Sequence, residues 1–223
     1  MRQLTLISKI LILVICLAFS ASSIAGESTN IGADDALSRL LSENRRFVAG
    51  KSNEPTGPAL IERRHALAKE QKPFAVVVGC SDSRVPPELV FDVSLGDIFV
   101  VRTAGEVVDE VGLGSIEYAV EHLGTHLIVV LGHQHCGAVS AAVGGATETG
   151  DIPNVLRAIS PAIDETKGQS GDPIENAVRA NARNIAKHIQ SAGPIIAPRV
   201  QSGEVKVVAA YYNLDTGQVE LLK

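Results

Sequence analysis

The sequence has 223 residues, of which 45% are hydrophobic, 20% are charged and 4% are aromatic. These values lie near the average for globular proteins and exclude intrinsic disorder, collagen and coiled coil. The formal net charge of -5 argues against a nucleic-acid footprint and against a polybasic membrane patch. The length suits one α/β domain or at most two small ones, with a core that needs no structural metal. We therefore expect the partner to be a small molecule.

The first residues have the pattern of a signal peptide. Arg2 and Lys9 precede an apolar run over residues 10–19, which is followed by small residues up to Ala25. This run has the length of a signal-peptide core, roughly 7–15 residues, and is well short of the ~20 residues that cross a bilayer. We predict a signal peptide over 1–25 and a mature domain over 26–223 that is periplasmic or secreted and not membrane-bound. An uncleaved anchor is the alternative.

Two helices are predicted before the first strand. Asp34 and Asp35 stand where a helix N-cap belongs, and apolar residues recur at helical spacing from there up to Gly50. Pro58 opens a second helical stretch, which extends to about Gln71. The first helix is amphipathic, so we expect an N-terminal helical arm whose apolar stripe covers a neighbouring subunit.

Three β-branched runs without alternation, at 74–79, 98–101 and 127–131, are typical of strands buried on both faces. A helix from about Gly114 to Leu123 separates the second run from the third, which gives βαβ units. We predict a single α/β domain with a central, mostly parallel sheet flanked by helices and an antiparallel C-terminal edge strand. The remaining predicted elements are helices over 152–166 and 173–190 and antiparallel strands over 205–212 and 219–222.

Metal-binding side chains follow two of these strands directly. Cys80, Asp82 and Arg84 come after the first strand, and His133 and Cys136 come after the third. The carboxyl ends of parallel strands meet at the crevice where open α/β sheets bind ligands. Cysteine, histidine and aspartate are ligands that tetrahedral zinc accepts. Zinc is therefore favoured, but a Cys80–Cys136 disulfide stays open, because disulfides form in exported proteins.

The segments Cys80-Ser81-Asp82-Ser83-Arg84-Val85-Pro86 and Gly132-His133-x-x-Cys136-Gly137 resemble the two signatures of β-class carbonic anhydrases. The likeness covers roughly residues 34–222. It implies a zinc enzyme that hydrates CO2 reversibly to bicarbonate and a proton by attack of zinc-bound hydroxide, with Cys80, His133 and Cys136 as metal ligands. It also implies a homodimer or higher homo-oligomer.

Asp82 and Arg84 match the family's aspartate–arginine pair. With Asp82 on zinc the site would have four protein ligands and no position for substrate, whereas catalytic zinc keeps an open position for water. Arg84 offers Asp82 a bidentate and permanently charged partner away from the metal. We predict that Asp82 alternates between the fourth zinc position and Arg84, and that both residues are catalytic.

Gln71 matches the glutamine with which plant-type members contact substrate or bicarbonate, often across a subunit boundary. We predict a substrate-binding role for it, with an ordinary surface position as the alternative. Two other functions stay open at this point. One is a zinc hydrolase of carbon disulfide or carbonyl sulfide on the same fold, and the other is a non-enzymatic exported protein held by the Cys80–Cys136 disulfide.

Overall fold

A computed structural model of the protein describes residues 31–52 and 54–223. Their strands form one sheet in the order β2-β1-β3-β4-β5. The pairs β1 with β2, β1 with β3, and β3 with β4 are parallel, and β4 with β5 is antiparallel. This confirms the predicted α/β class, with its mostly parallel sheet and antiparallel edge strand. The bounds are β1 (Ala75–Cys80), β2 (Ile98–Thr103), β3 (Leu127–His133), β4 (Lys206–Tyr212) and β5 (Val219–Leu221).

Every residue of β1 and β3 is buried, which explains the unbroken apolar runs in the sequence. Neighbouring side chains along each strand point to opposite faces. Val77 therefore belongs to the core on one face of the sheet, while Val76 and Val78 belong to the core on the other. Helices cover both faces.

The helices are α1 (Ala33–Val48), α2 (Pro58–Ala66), α3 (Pro87–Val90), α4 (Glu110–His122), α5 (Gly137–Val143), α6 (Ile152–Thr166), α7 (Pro173–Gln190) and α8 (Ile196–Gln201). The predicted spans of α6 and α7 are confirmed. The short helices α3, α5 and α8 were not predicted, because so few residues carry too little periodicity to be recognised.

Three helix ends differ from the prediction. The N-cap of α1 is Gly32, and Asp34 and Asp35 lie in the first turn, where negative charge favours the helix dipole. Helix α2 ends at Ala66, earlier than predicted. Helix α4 begins before Gly114, because the Asp109 side chain accepts a bond from the Gly112 amide and caps the helix there.

Helix α1 packs on its own chain. Ala36 and Leu40 are fully buried in one of the two cores, and Asn44 donates from its amide to the carbonyl oxygens of Val90 and Gly217. The apolar stripe of the N-terminal helix is thus partly covered within the single chain, while Val48 at its end stays 40% exposed. The contact of this arm with a neighbouring subunit remains a prediction.

The predicted signal peptide lies outside the described residues. Within 31–52 and 54–223, no helix is long and apolar enough to cross a membrane.

Candidate metal centre

Cys80, His133 and Cys136 come together at the carboxyl ends of β1 and β3. Their possible ligand atoms all lie within 4.8 Å of one another, and the two sulfur atoms are 4.0 Å apart. All three side chains are buried, with at most 5% exposure. Two sulfurs bound tetrahedrally at about 2.3 Å to one zinc ion would be about 3.8 Å apart. The cysteines therefore have nearly the spacing that a single zinc ion requires.

Neither cysteine is in a disulfide. A disulfide bond is about 2.05 Å long, roughly half the observed separation of the sulfurs. The structure therefore does not support the alternative in which this pair only staples the fold.

The ring of His133 is oriented for metal binding. Its Nδ1 lies 2.9 Å from the backbone oxygen of Gln134, and because a carbonyl oxygen only accepts, Nδ1 carries the proton. This leaves Nε2 as the unprotonated nitrogen. Nε2 is buried and has no hydrogen-bond partner among the described residues. A buried polar atom without a partner is costly, and a metal ion would satisfy it.

The surroundings of Cys80 favour a thiolate. Its Sγ accepts the backbone N–H groups of Gly105 at 3.3 Å and Asp82 at 3.4 Å. The hydrogen bond with Cys136 is the largest cause that lowers the pKa of Cys80 to about 4, and the nearby His133 and these two amides lower it further. The bond that Cys136 donates to Cys80, together with burial, raises the pKa of Cys136. Of the two sulfurs, Cys80 is thus the one that favours the thiolate, and a metal ion bound by both would require Cys136 to lose its proton.

Asp82 lies beside this cluster but is turned to Arg84. Its Oδ1 accepts from the backbone N and from Nε of Arg84, both at 2.9 Å, and its Oδ2 accepts from Nη2 at 2.7 Å. The Arg84 guanidinium holds the pKa of Asp82 at about 2, so the carboxyl is ionised at neutral pH. Asp82 Oδ2 is nevertheless only 4.0 Å from His133 Nε2. Asp82 is thus paired with Arg84 here, and its alternation with the metal remains a prediction.

Two parts of the surroundings were not assigned a role from the sequence. Arg102 donates from Nε to the carbonyl oxygen of Cys80 at 2.8 Å and from Nη2 to that of Asp82 at 2.6 Å, so it fixes the loop after β1. Glu106 and Asn181 form a buried hydrogen bond behind the metal ligands. Arg102 stood in the motif-like stretch after the second strand, but nothing in its spacing indicated these contacts.

Gln71 is exposed and lies in the connection between α2 and β1. The nearby Pro73 carbonyl accepts from Thr125, which precedes β3, so this connection lies at the amino edge of the sheet. Cys80 ends β1 at the opposite edge, about 20 Å away for a strand of this length. The substrate-binding role of Gln71 thus remains a prediction, and it requires Gln71 of one subunit to approach the metal centre of another.

The fold and the site together define an α/β metalloprotein with a three-ligand centre of the zinc type. The carbonic anhydrase family model matches residues 75–219. Carbonic anhydrase 2 of Mycobacterium tuberculosis is 39% identical over 182 residues, which cover 80% of this chain and 87% of the relative. The chain belongs to the β-class carbonic anhydrases.

Solved structures agree with this assignment. The β-carbonic anhydrase CcaA superposes with a TM-score of 0.67 at 27% identity, over 84% of this chain and 95% of CcaA. A tetrameric β-carbonic anhydrase of Sordaria macrospora has the same fold, with a TM-score of 0.66 at 24% identity over 84% of this chain and 97% of that one.

Membership of this family makes the chain a carbonic anhydrase and a zinc enzyme. The fit of zinc rests on the site itself, where two sulfurs and an unpartnered imidazole nitrogen stand at suitable spacing. The alternative substrates carbon disulfide and carbonyl sulfide are not favoured, because the matched relatives described here are carbonic anhydrases.

Proposed function

We propose that this chain converts CO2 and water reversibly to bicarbonate and a proton at the centre formed by Cys80, His133 and Cys136, with Asp82 and Arg84 as its gate. The observation that carries this proposal is the position of Asp82. Three buried donors converge, and the carboxylate that could close the site is held by Arg84. Zinc bound there lowers the pKa of a coordinated water to about 7 and so supplies a nucleophile at neutral pH.

Asp82 then orients the water. Ionised at neutral pH, it can only accept hydrogen bonds, and it lies at the mouth of the centre. A water molecule that donates one hydrogen to Asp82 keeps its lone pair directed toward an approaching CO2. Because the carboxylate is already fixed by three bonds from Arg84, little reorganisation is needed at the moment of reaction.

Arg84 holds Asp82 in this position, and a hydrogen bond to a second loop fixes Arg84 itself. Its Nη2 donates to the His135 carbonyl at 3.1 Å, in the loop that carries both His133 and Cys136. The guanidinium thus joins the two loops of the site and competes with the metal for the carboxylate. Lysine could offer the charge but not the planar pair of donors.

The experiment is a stopped-flow assay of CO2 hydration with the zinc-replete mature protein, alongside Asp82→Asn and the control Asp164→Asn. Asp164 is an exposed carboxylate on α6. We expect the wild type and Asp164→Asn to hydrate CO2 equally, and Asp82→Asn to lose about 10- to 100-fold while keeping its zinc. A zinc-replete wild type that hydrolyses carbonyl sulfide but does not accelerate CO2 hydration would overturn the proposal.

We also propose that the chain forms a homodimer or a higher homo-oligomer. In the described sheet β2 is an edge strand, and all six of its residues are only half-buried. The Sordaria relative is tetrameric, and Gln71 could reach a metal centre only from a second copy. Light scattering on the mature protein tests this, and a fully active monomer would contradict both the oligomer and the role of Gln71.

Finally, we propose that residues 1–25 direct export and are removed. The basic start, the short apolar run and the small residues before position 26 support this. Fractionation of the producing cell and N-terminal sequencing of the extracytoplasmic protein test it. An intact Met1 or a cytoplasmic location would contradict it.

A further inference from the structure

A short 3-10 turn over Ala104–Glu106 follows β2 and lies against the metal ligands. Two successive residues of the turn have left-handed backbones, Gly105 with φ of 67° and Glu106 with φ of 47°. Glycine adopts this conformation without strain, but glutamate seldom does. A side chain at position 105 would also come within 2.8 Å of Ile159. The turn therefore has little freedom, and it imposes strain on Glu106.

This backbone conformation aims an N–H group at a metal ligand. The Gly105 amide donates to Cys80 Sγ at 3.3 Å. Rotation of the turn would move this donor away from the sulfur, and hydrogen bonds to a ligating sulfur tune both its charge and its orientation. The geometry of the turn is thus coupled to the geometry of the centre.

Asn181 of α7 fixes the turn from behind. Its Nδ2 donates to the Gly105 carbonyl at 2.9 Å and to Glu106 Oε1 at 3.0 Å, so both amide hydrogens are used. Asn181 is 2% exposed and Glu106 is 1% exposed. In this way a single side chain holds the backbone and the side chain of the turn together, in a place that water does not reach.

A glutamate at position 106 should lower the stability of the folded chain, so a purely structural role does not explain it. Its Oε2 is buried and has no partner in the part of the chain that the structure describes. Burial, and next the charge of Cys80, raise the pKa of Glu106 to about 8. Asparagine or glycine would accept the left-handed backbone at lower cost. Strain and an unsatisfied oxygen at one residue beside the metal ligands point to a functional reason.

We propose that Glu106 and Asn181 are positioning residues of the metal centre, which hold the Gly105 N–H on Cys80 Sγ and so preset that sulfur for zinc. Neither residue touches the metal or the substrate. The effect passes from Asn181 through the turn to Cys80. The proposal rests on the proposed function only in taking Cys80 as a zinc ligand.

The test compares Asn181→Leu with a matched control, Asn44→Leu. Asn44 is also a buried asparagine, 3% exposed. Its Nδ2 donates to two backbone carbonyls and its Oδ1 accepts from the Val219 amide, so it joins α1 to the end of α3 and to the connection between β4 and β5, which hold no metal ligand. Asn181→Leu removes two hydrogen bonds and Asn44→Leu removes three, so both should lower thermal stability. We expect only Asn181→Leu to weaken zinc affinity, by about 10- to 100-fold in competition with a chelator.

Cobalt substitution gives a second readout. We expect the sulfur-to-cobalt charge-transfer band to shift in Asn181→Leu and to match the wild type in Asn44→Leu. Neither measurement uses CO2, so a failure of the proposed function would not affect the result. Equal zinc affinities and identical cobalt spectra in the two variants would overturn the proposal.

Glu106 allows the same test if Asn181→Leu does not fold. Glu106→Gln keeps an oxygen for Asn181, and Glu106→Leu removes it, while the bond from Asn181 to the Gly105 carbonyl is available to both. We expect zinc affinity within about twofold of the wild type for the glutamine variant and a clear loss for the leucine variant. Equal affinities of the two variants would overturn the role of Glu106.

Discussion

Two carboxyl groups lie near the metal centre, one partly exposed and one buried, and their pKa values differ. The Asp82 side chain is 17% exposed and is paired with Arg84, and its pKa falls to about 2. Glu106 is 1% exposed and is bonded only to a neutral amide, and its pKa rises to about 8. In the metal-free chain the surroundings thus favour the anion for Asp82 and the protonated acid for Glu106. The surroundings, and not the chemical group, decide which role each takes.

The difference between the two pKa values agrees with the charges around each carboxyl group. Before metal binds, burial and the charge of Cys80 both raise the pKa of Glu106, because an ionised Glu106 would add a second negative charge in a buried place. On the solvent side, Arg84 compensates the charge of Asp82. The carboxylate that is paired with arginine is therefore on the solvent side, and the buried carboxyl has a raised pKa.

The largest expected effect is the loss of zinc when one ligand of the metal centre is replaced. Cys136→Ser should lose its zinc, because a serine hydroxyl is harder and barely ionised at neutral pH. Elemental analysis should fall from about one zinc per chain to nearly none. A variant that keeps its zinc would show that Cys136 is not a ligand.

The second largest effect is a loss of CO2 hydration when Arg84, on the solvent side of the centre, is replaced. Arg84→Ala should keep its zinc and its fold but lose about 10- to 100-fold of CO2 hydration, because Asp82 would then stay on the metal. Arg64→Ala, at an exposed arginine on α2, is the control and should retain full activity. If Arg84→Ala remained fully active with zinc bound, Asp82 and Arg84 would not be a gate.

A smaller effect on CO2 hydration distinguishes the positive charge of the Arg84 side chain from its planar hydrogen-bond geometry. Arg84→Lys should recover only part of the activity lost in Arg84→Ala, because an ammonium group cannot donate two parallel bonds to Asp82. The stopped-flow assay measures this directly. Full recovery would mean that positive charge alone holds Asp82.

The smallest expected effect comes from the buried Glu106 and is a pH dependence of the free energy of unfolding. In the unfolded chain Glu106 loses its proton near its ordinary pKa of 4.5, but in the folded chain it keeps it up to about 8. The folded state thus binds more protons between these values, and stability falls as pH rises through them. Urea unfolding of the metal-free protein from pH 5 to 8 should show this decrease relative to Glu106→Gln. Parallel curves would mean that Glu106 is ionised in the fold.

The sequence predicts the sheet and the metal ligands well, because both depend on local patterns. Unbroken apolar runs identified β1 and β3, and Cys80 and His133 are the last residues of those strands. The end of α2 was missed, because no glycine or proline marks Ala66. Glu106 and Asn181 were missed for a different reason. They are 75 positions apart, and their contact depends on how α7 packs against the sheet, which no short motif records.

Two of the three ligands lie in strands of the sheet and one lies outside it. We expect this difference to decide which ligand dissociates from a metal ion first. Cys80 and His133 are held by the register of the sheet, opposite Thr103 and Tyr212 respectively. Cys136 lies beyond the sheet, at the N-cap of the short helix α5. Local opening costs least where few strand bonds must break. Metal exchange should therefore begin at Cys136, through fraying of α5, while the strands keep their slow amide hydrogen exchange.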